Sequence, residues 1–362
     1  MPQCCHKCFL DEFVARKILS DGTAQKCSLC GEHRKCLDVE ALRELFHPLV
    51  SLYTSVEQFL PMQILKDQAG QHSTLAEKIS ADWSIFDDDA KAETFLGLCH
   101  DVYDHRDDPD DTFDPIRAVE VEDLFFYGEY EKTYVLSTMW SELRQELQEQ
   151  NRYFAGRGIV SDIQDALRSD LIKITLRHDI LYRVRGTTTD VALKREEMGA
   201  PPANRSTAGR ANPAGIPYLY LASDQETAIC EVRPHNNEKL TVGSFRLATS
   251  VTCIDLRDPC IGSPFQHGSK LRDFVGVLGF LRHLGHELSL PIGNHRRDLD
   301  YLPTQYLCEL IKNLGYDGVL YRSGLSNGHN IALFSPSAAY CFETKLVCVQ
   351  NIKITVADFV AD

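Results

Sequence analysis

Asn204-Arg-Ser-Thr-Ala-Gly-Arg210-Ala-Asn-Pro-Ala-Gly-Ile-Pro-Tyr-Leu-Tyr220-Leu-Ala-Ser-Asp-Gln-Glu-Thr-Ala-Ile-Cys-Glu231-Val232 is the stretch from which the rest of the chain becomes readable. A polar, glycine-rich turn carrying Arg210 runs into Tyr218-Leu-Tyr220-Leu-Ala222, whose composition predicts a strand. Ser223-Asp-Gln-Glu226 has the spacing of a capping box and opens a helix through Glu231. An arginine on a turn, a tyrosine on a strand and a glutamate on a helix therefore follow one another closely. Roughly ninety residues later come Gly315-Tyr-Asp-Gly-Val-Leu-Tyr-Arg-Ser323 and Gly328-His-Asn330-Ile-Ala-Leu-Phe334, predicting strands Gly318–Tyr321 and Asn330–Phe334 with Ser323 just past the first.

This frame of Arg210, Tyr220, Glu231 and Ser323 resembles the RES domain, a family named for its Arg, Glu and Ser. The resemblance covers about the last 185 residues of the chain. It implies an α+β fold related to the ADP-ribosyltransferases and an enzyme that consumes NAD, as bacterial toxins of the family do. Arg183 falls where the family's first strand carries an arginine, and Gln305 and Asn330 fall at positions expected to line the same pocket. An antitoxin or another regulatory protein is the partner class that the resemblance implies, and a homo-oligomer stays open.

Breaking the nicotinamide–ribose bond of NAD builds positive charge on the sugar. A site for that reaction needs an anion beside the ribose and cations or donors for the diphosphate. Glu231 is the expected anion. Arg210 offers a planar fork suited to phosphate oxygens, and Gly209 and Gly215 let backbone approach a ligand. Tyr220 is placed to stack on nicotinamide, and Ser323 to hydrogen-bond the ribose or the amide; no Ser-His-Asp arrangement makes it a nucleophile. The expected reaction transfers ADP-ribose to water or to inorganic phosphate. Transfer to a macromolecule is a second enzyme reading, and a zinc-dependent binding protein with an inactive RES-like domain is the rival from another class. One departure stands out: Ala211-Asn-Pro follows Arg210 where many relatives have an aromatic residue.

The N-terminal part carries different chemistry. Cys5-x-x-Cys8 and Cys27-x-x-Cys30 have the spacing of a four-thiolate zinc site, structural because four sulfurs leave no position for water. Cys4, His6, His33 and Cys36 are nearby and are expected either to substitute for a ligand or to support the ligands from outside the coordination sphere. From about Asp38 to Tyr153 the pattern is helical, with Leu75, Ile79, Trp83 and Phe86 on one face and Trp140, Leu143 and Leu147 on another. The acidic run between Asp101 and Asp114 lacks the glycine turn and closing glutamate of a calcium loop and reads as solvated. The cysteine pairs and the helix from Trp140 to Phe154 resemble the zinc-containing HEPN-type segment that precedes some RES domains. HEPN ribonucleases place four to six residues between an arginine and a histidine on one helix; only three lie between Arg43 and His47, so a regulatory or assembly role is expected. The expected boundaries are a zinc module over 1–37, a helical segment over 38–160 and a catalytic domain over 161–362.

Downstream, Ile180–Arg185, Leu240–Leu247 and Val251–Leu256 read as strands, residues 187–208 as a loop, and Thr304 as the cap of a helix Gln305–Leu314. Strands and helices mix without a regular βαβ repeat, which favours α+β. With 38 basic and 52 acidic residues the formal net charge is −14, which argues against broad nucleic-acid binding. A local basic site from Arg152, Arg157, Arg177, Arg183 and Arg185 stays open. Thirteen cysteines without an export signal argue against a disulfide framework. No stretch approaches the roughly 18 apolar residues of a membrane span, so the cytoplasm is the expected compartment.

Overall fold

Alternation along the first strand divides the N-terminal cysteines between two tasks. In Gln3–Cys5 (β1) successive side chains point to opposite faces; Cys4 and Cys5 are both buried in the hydrophobic core, but Cys5 turns its sulfur toward the other cysteine pair. The computed structural model describes residues 1–55, 73–102, 113–115, 119–120, 130–155, 160–290 and 297–352. These divide into two compact units, one of residues 1–134 with 260–279 and one of residues 135–259 with 280–362.

In the first unit β1 pairs with His33–Asp38 (β3), which pairs in turn with Thr23–Lys26 (β2), all antiparallel. Helix Glu12–Asp21 is capped by Asp11, whose carboxylate accepts from the Phe13 and Val14 N–H groups. Helices Val39–Val50, Leu75–Asp82 and Asp89–Asp101 supply most of the remaining core. Its centre is aromatic: Phe46 lies 4.6 Å from Phe95 and 4.4 Å from Phe265, and Phe9 meets Phe95 edge-on at 5.3 Å. The helix expected to run through Phe86 stops at Asp82. Trp83 is extended, its indole N–H donates to the Tyr53 hydroxyl at 3.0 Å, and Tyr53 donates to Asp82 at 2.9 Å. The helical segment also contains a short strand pair, Thr54–Ser55 (β4) with Val119–Glu120 (β5). The acidic run lies mostly outside the described residues.

The second unit is α+β. Its eight strands are Lys173–Leu176 (β6), Ile180–Gly186 (β7), Leu219–Ala222 (β8), Lys239–Leu247 (β9), Val251–Asp255 (β10), Gly318–Arg322 (β11), His329–Leu333 (β12) and Ala339–Cys348 (β13). Their order is β13-β9-β7-β8-β12-β11-β10-β6. Every pair is antiparallel except β10 and β11, between which the chain forms helices Leu271–Ser289, Arg297–Asp300 and Leu302–Asn313. β6, β13 and the Leu271–Ser289 helix are absent from the sequence reading. Leu219 and Leu221 of β8 enter one hydrophobic cluster with Phe245 and Leu320, whereas Ala222 joins Val184, Val242 and Ala228 in a second. The Leu302–Asn313 helix begins before Thr304, with Pro303 in its first turn, so Thr304 is inside the helix and is not its cap. No helix of the described residues is long and apolar enough to cross a membrane.

Two helical glycines have opposite surroundings. A methyl on Gly97 meets nothing within 4 Å, whereas one on Gly285 falls 2.2 Å from the Leu256 carbonyl oxygen. Gly97→Ala is expected to raise stability by about 0.5–1 kcal/mol through helix propensity. Gly285→Ala is expected to lower it by about 1–3 kcal/mol through overpacking against backbone. Urea denaturation of both variants checks this; shifts of one sign would contradict the packing described here.

Candidate functional site

Strand register lays down the floor of the site. Tyr182 pairs with Ala222, Ala222 with Asn330 and Asn330 with Tyr321, so four strands place these residues in one cross-strand row. Ala222, Asn330 and Tyr321 all line a cavity of about 510 Å³, within the usual range for small-molecule sites. The small side chain of Ala222 leaves the space open.

The wall is helix Gln225–Glu231. Its cap is Asp224, one residue later than the capping-box spacing implies: Asp224 Oδ1 accepts from the Thr227 N–H at 2.8 Å. Ser223 and Thr227 hydroxyls donate to Oδ2, 2.7 and 2.8 Å away. Burial by itself would raise the Asp224 carboxyl, and these three donors outweigh it and hold it below its ordinary value. Gly328 packs directly on this cap; a β-carbon there would lie 2.0 Å from the Thr227 hydroxyl and 2.4 Å from Asp224. A glycine is required there because any side chain would collide with the cap.

That contact brings three of the expected residues together. Glu231 Oε1 accepts from Ser323 Oγ at 2.7 Å and from Asn330 Nδ2 at 2.6 Å. Ser323 Oγ also accepts from the Leu325 N–H at 3.1 Å, so its proton is directed to the carboxylate. Both donors converge on one oxygen, and no hydrogen bond among the described residues engages Oε2. Behind β12, His329 points away from Asn330 and meets Arg257 at 3.2 Å. Burial and the Arg257 charge push its pKa below the ordinary value, leaving a neutral ring that accepts from the guanidinium.

The Arg210 turn is held by a separate set of bonds. The Tyr220 hydroxyl donates to Asn212 Oδ1 at 2.7 Å and accepts from the Ala211 N–H at 3.0 Å. Asn212, 3 % exposed, donates to the carbonyls of Thr207, Pro213 and Ile216 at 2.9 to 3.1 Å. Gln305 donates to the Gly209 and Asn212 carbonyls at 2.8 and 3.1 Å, and Thr304 to the Arg210 carbonyl at 2.7 Å. Gly209 is tight for an internal reason: a β-carbon would sit 2.5 Å from Asn212 Oδ1 and 2.8 Å from the Tyr220 hydroxyl. Gly215 supplies the turn's left-handed residue at φ 85°. The close approach expected between these glycines and a ligand is, for Gly209, an approach to the turn's own side chains. Burial pushes the Tyr220 hydroxyl well above its usual pKa, so it is a neutral fastener whose ring remains on the cavity wall.

Arginines set the electrostatics. The Arg183 guanidinium reaches the Tyr220 carbonyl at 3.4 Å, where β7 and β8 share a single ladder pair. It has no carboxylate partner among the described residues; burial, and then the Arg185 charge, push it down to about 10, still protonated at neutral pH. Arg210 donates to the Leu288 carbonyl at the end of the Leu271–Ser289 helix. Arg233 and Arg322 also line the cavity, and Glu231 is the carboxylate on its wall. Arg322 is committed elsewhere, pairing with Asp258 at 3.1 Å and donating to the Arg257 carbonyl at 2.6 Å. A cavity so lined in a chain of formal charge −14 suits an anionic ligand.

Of the expected site residues, Arg183, Arg210, Tyr220, Glu231 and Asn330 line the cavity. Ser323 and Gln305 act from behind it, on Glu231 and on the Arg210 turn. The reading missed Tyr301, Tyr321 and Arg233 on the wall, and Asn212 within the turn. Alternation along β11 could have found Tyr321, since it places Tyr321 opposite Asn330.

The second cluster lies in the first unit. Cys5 Sγ is 3.6 Å from Cys8 Sγ and 3.7 Å from Cys30 Sγ, and Cys8 Sγ is 3.7 Å from Cys27 Sγ. A tetrahedron of about 2.3 Å metal–sulfur bonds has edges of about 3.8 Å, so the group could hold a metal ion. The Cys5 N–H points at Cys27 Sγ from 3.3 Å, the usual outer support for such a sulfur. Cys4 Sγ is not among the converging sulfurs, and Cys36 Sγ faces the Gln25 and Arg34 carbonyls, so neither joins the group. All thirteen cysteines are unbridged.

The RES domain family model matches residues 180–353, the span that holds the cavity from Arg183 to Asn330. Residues 180–353 are a RES domain. Among solved structures, the chain is similar to one from the crystal structure of the M. tuberculosis MbcT–MbcA toxin–antitoxin complex, at 16 % identity and a TM-score of 0.31. That likeness covers 53 % of this chain and 92 % of the other. No curated protein matches the chain.

Two tyrosines of the RES domain separate structural from ligand-facing hydroxyls. Tyr220→Phe leaves Asn212 Oδ1 and the Ala211 N–H without their partner and is expected to cost about 1–3 kcal/mol. No protein group among the described residues bonds the Tyr321 hydroxyl, so Tyr321→Phe is expected to stay within about 0.5 kcal/mol of wild type. Thermal and urea denaturation decide; equal losses would contradict the division. For the thiolate group, metal analysis of protein purified without added metal is expected to give one ion per chain. Chelation is expected to unfold the first unit with little effect on the second. Metal-free protein with the first unit intact would remove the site.

Proposed function

We propose that the RES domain consumes NAD, breaking its nicotinamide–ribose bond and passing ADP-ribose to water or inorganic phosphate. The observation that carries this reading is Glu231: one oxygen is gripped by Ser323 and Asn330, the other is open, and the surrounding charges are arginines. When the C1′–N bond breaks, its electron pair leaves with nicotinamide and positive charge grows on the ribose. A carboxylate already fixed in place stabilises that charge without reorganising in the transition state. The two donors keep Glu231 from swinging toward Arg210 or Arg183. Water or phosphate oxygen then bonds C1′, and the nucleophile's proton passes to Glu231 or solvent. Arg183 and Arg210 are assigned to the diphosphate, and the Tyr220 ring to nicotinamide.

Zinc is the proposed ion of the four-cysteine group, since four sulfurs at these distances match its structural sites and leave it no catalytic position. The first unit is assigned a regulatory or assembly role, and an antitoxin is the proposed class of protein partner.

Incubating purified protein with NAD, with and without phosphate, and identifying products by mass tests the assignment. Nicotinamide with ADP-ribose, or with its 1″-phosphate, is expected. Glu231→Gln keeps the shape and both donors' acceptor but removes the anion. Its turnover is expected to fall about 10²–10³-fold while NAD binding changes far less. Arg210→Lys is expected to raise KM instead, because a forked phosphate contact is lost. Turnover near wild type in Glu231→Gln would remove Glu231 from the chemistry.

A further inference from the structure

Arg233 occupies a backbone position that favours glycine. It is the second residue after the Gln225–Glu231 helix, with φ at 49°, and its N–H closes the helix end on the Cys230 carbonyl at 3.0 Å. Left-handed residues at this place are usually glycine, because a β-carbon crowds the adjoining carbonyl. The following residue, Pro234, further restricts Arg233 and pushes an ordinary residue toward extended backbone. A long side chain is therefore retained where a glycine would relieve the backbone.

The retained group is on the cavity wall, two residues past Glu231. Its guanidinium has no hydrogen bond or ion pair among the described residues, although Glu231 and Glu226 are close in sequence. Arg183 and Arg210 are half-buried, whereas Arg233 is exposed and so stands at the open side. Arg322 is already paired with Asp258. Arg183, Arg210 and Arg233 set against Glu231 leave two uncompensated positive charges, the complement of a diphosphate.

We infer that Arg233 is a substrate-binding residue, engaging phosphate oxygens of a dinucleotide diphosphate at the cavity's open side. This rests on the NAD reading of the same site. The residue takes no part in bond breaking, so its contribution is equal in the ground and transition states.

Arg233→Gly and Arg233→Asn both suit left-handed backbone and remove the charge. In each, KM for NAD is expected to rise about tenfold with kcat within about twofold, the signature of lost uniform binding. The rise of KM with added NaCl is expected to be shallower than in wild type, because one screened charge contact is gone. Melting temperatures are expected to equal or exceed wild type. An unchanged KM, or a fall in kcat at constant KM, would overturn the assignment. So would a lower melting temperature in both variants, which would mean that the arginine is kept for packing. Wild-type protein that leaves NAD intact would instead overturn the NAD reading, and this inference with it.

Discussion

The hydrogen bond from Asn330 to Glu231 joins the two halves of the site. Asn330 is fixed by sheet register, between Ala222 on one side and Tyr321 on the other. Glu231 belongs to a helix whose position depends on Asp224 and on the contact with Gly328. The 2.6 Å bond therefore sets the carboxylate relative to the sheet, and Ser323 adds a second restraint from the same loop. A slip of one residue in β12 would turn Asn330 to the other face and put His329 in its place. The Arg257–His329 contact opposes that slip from behind.

Charge placement is the second constraint. The chain is acidic, yet its RES cavity gathers four arginines, of which only Arg322 has an ion pair among the described residues. Arg183 illustrates the cost. Burial lowers its pKa, and a single long bond to the Tyr220 carbonyl offsets little of the lost hydration. Such a group is better accommodated with an anion bound, so folding leaves the site prepared for one. The neutral residues between, Tyr220 and Tyr321, keep the cavity polar without adding charge that would weaken the arginines.

Residue chemistry and spacing revealed the site better than they revealed the fold around it. Arg210, Tyr220, Glu231 and Asn330 were legible because short patterns around them together form the frame that resembles the RES domain, and all four line one cavity. The cysteine pairs were legible from their spacing. Gln305 was misplaced because its value is long-range: it serves carbonyls of a turn almost a hundred residues away, which no local pattern displays. Thr304 was read as a cap from its residue type, but Pro303 had already begun the helix. Asn212 marked a departure from the family frame, and its role is visible only once Tyr220 is seen to reach it. β13 was missed because it is an edge strand, and exposed residues such as Tyr340 and Lys345 blur its alternation.

The chain's path through the first unit has a consequence for synthesis. Phe265, Leu271 and Val275 belong to that unit's core, and Phe46 packs on Phe265 at 4.4 Å, although more than two hundred residues separate them. As the polypeptide leaves the ribosome, the four thiolates are available from the first thirty residues onward. The aromatic core beside them stays incomplete until the segment 260–279 has emerged, by which time β6 to β10 of the second unit are also present. The first unit therefore cannot mature wholly ahead of the second. A metal bound early would hold the N-terminal sheet in register through that interval, acting as a placeholder for hydrophobic contacts that arrive late.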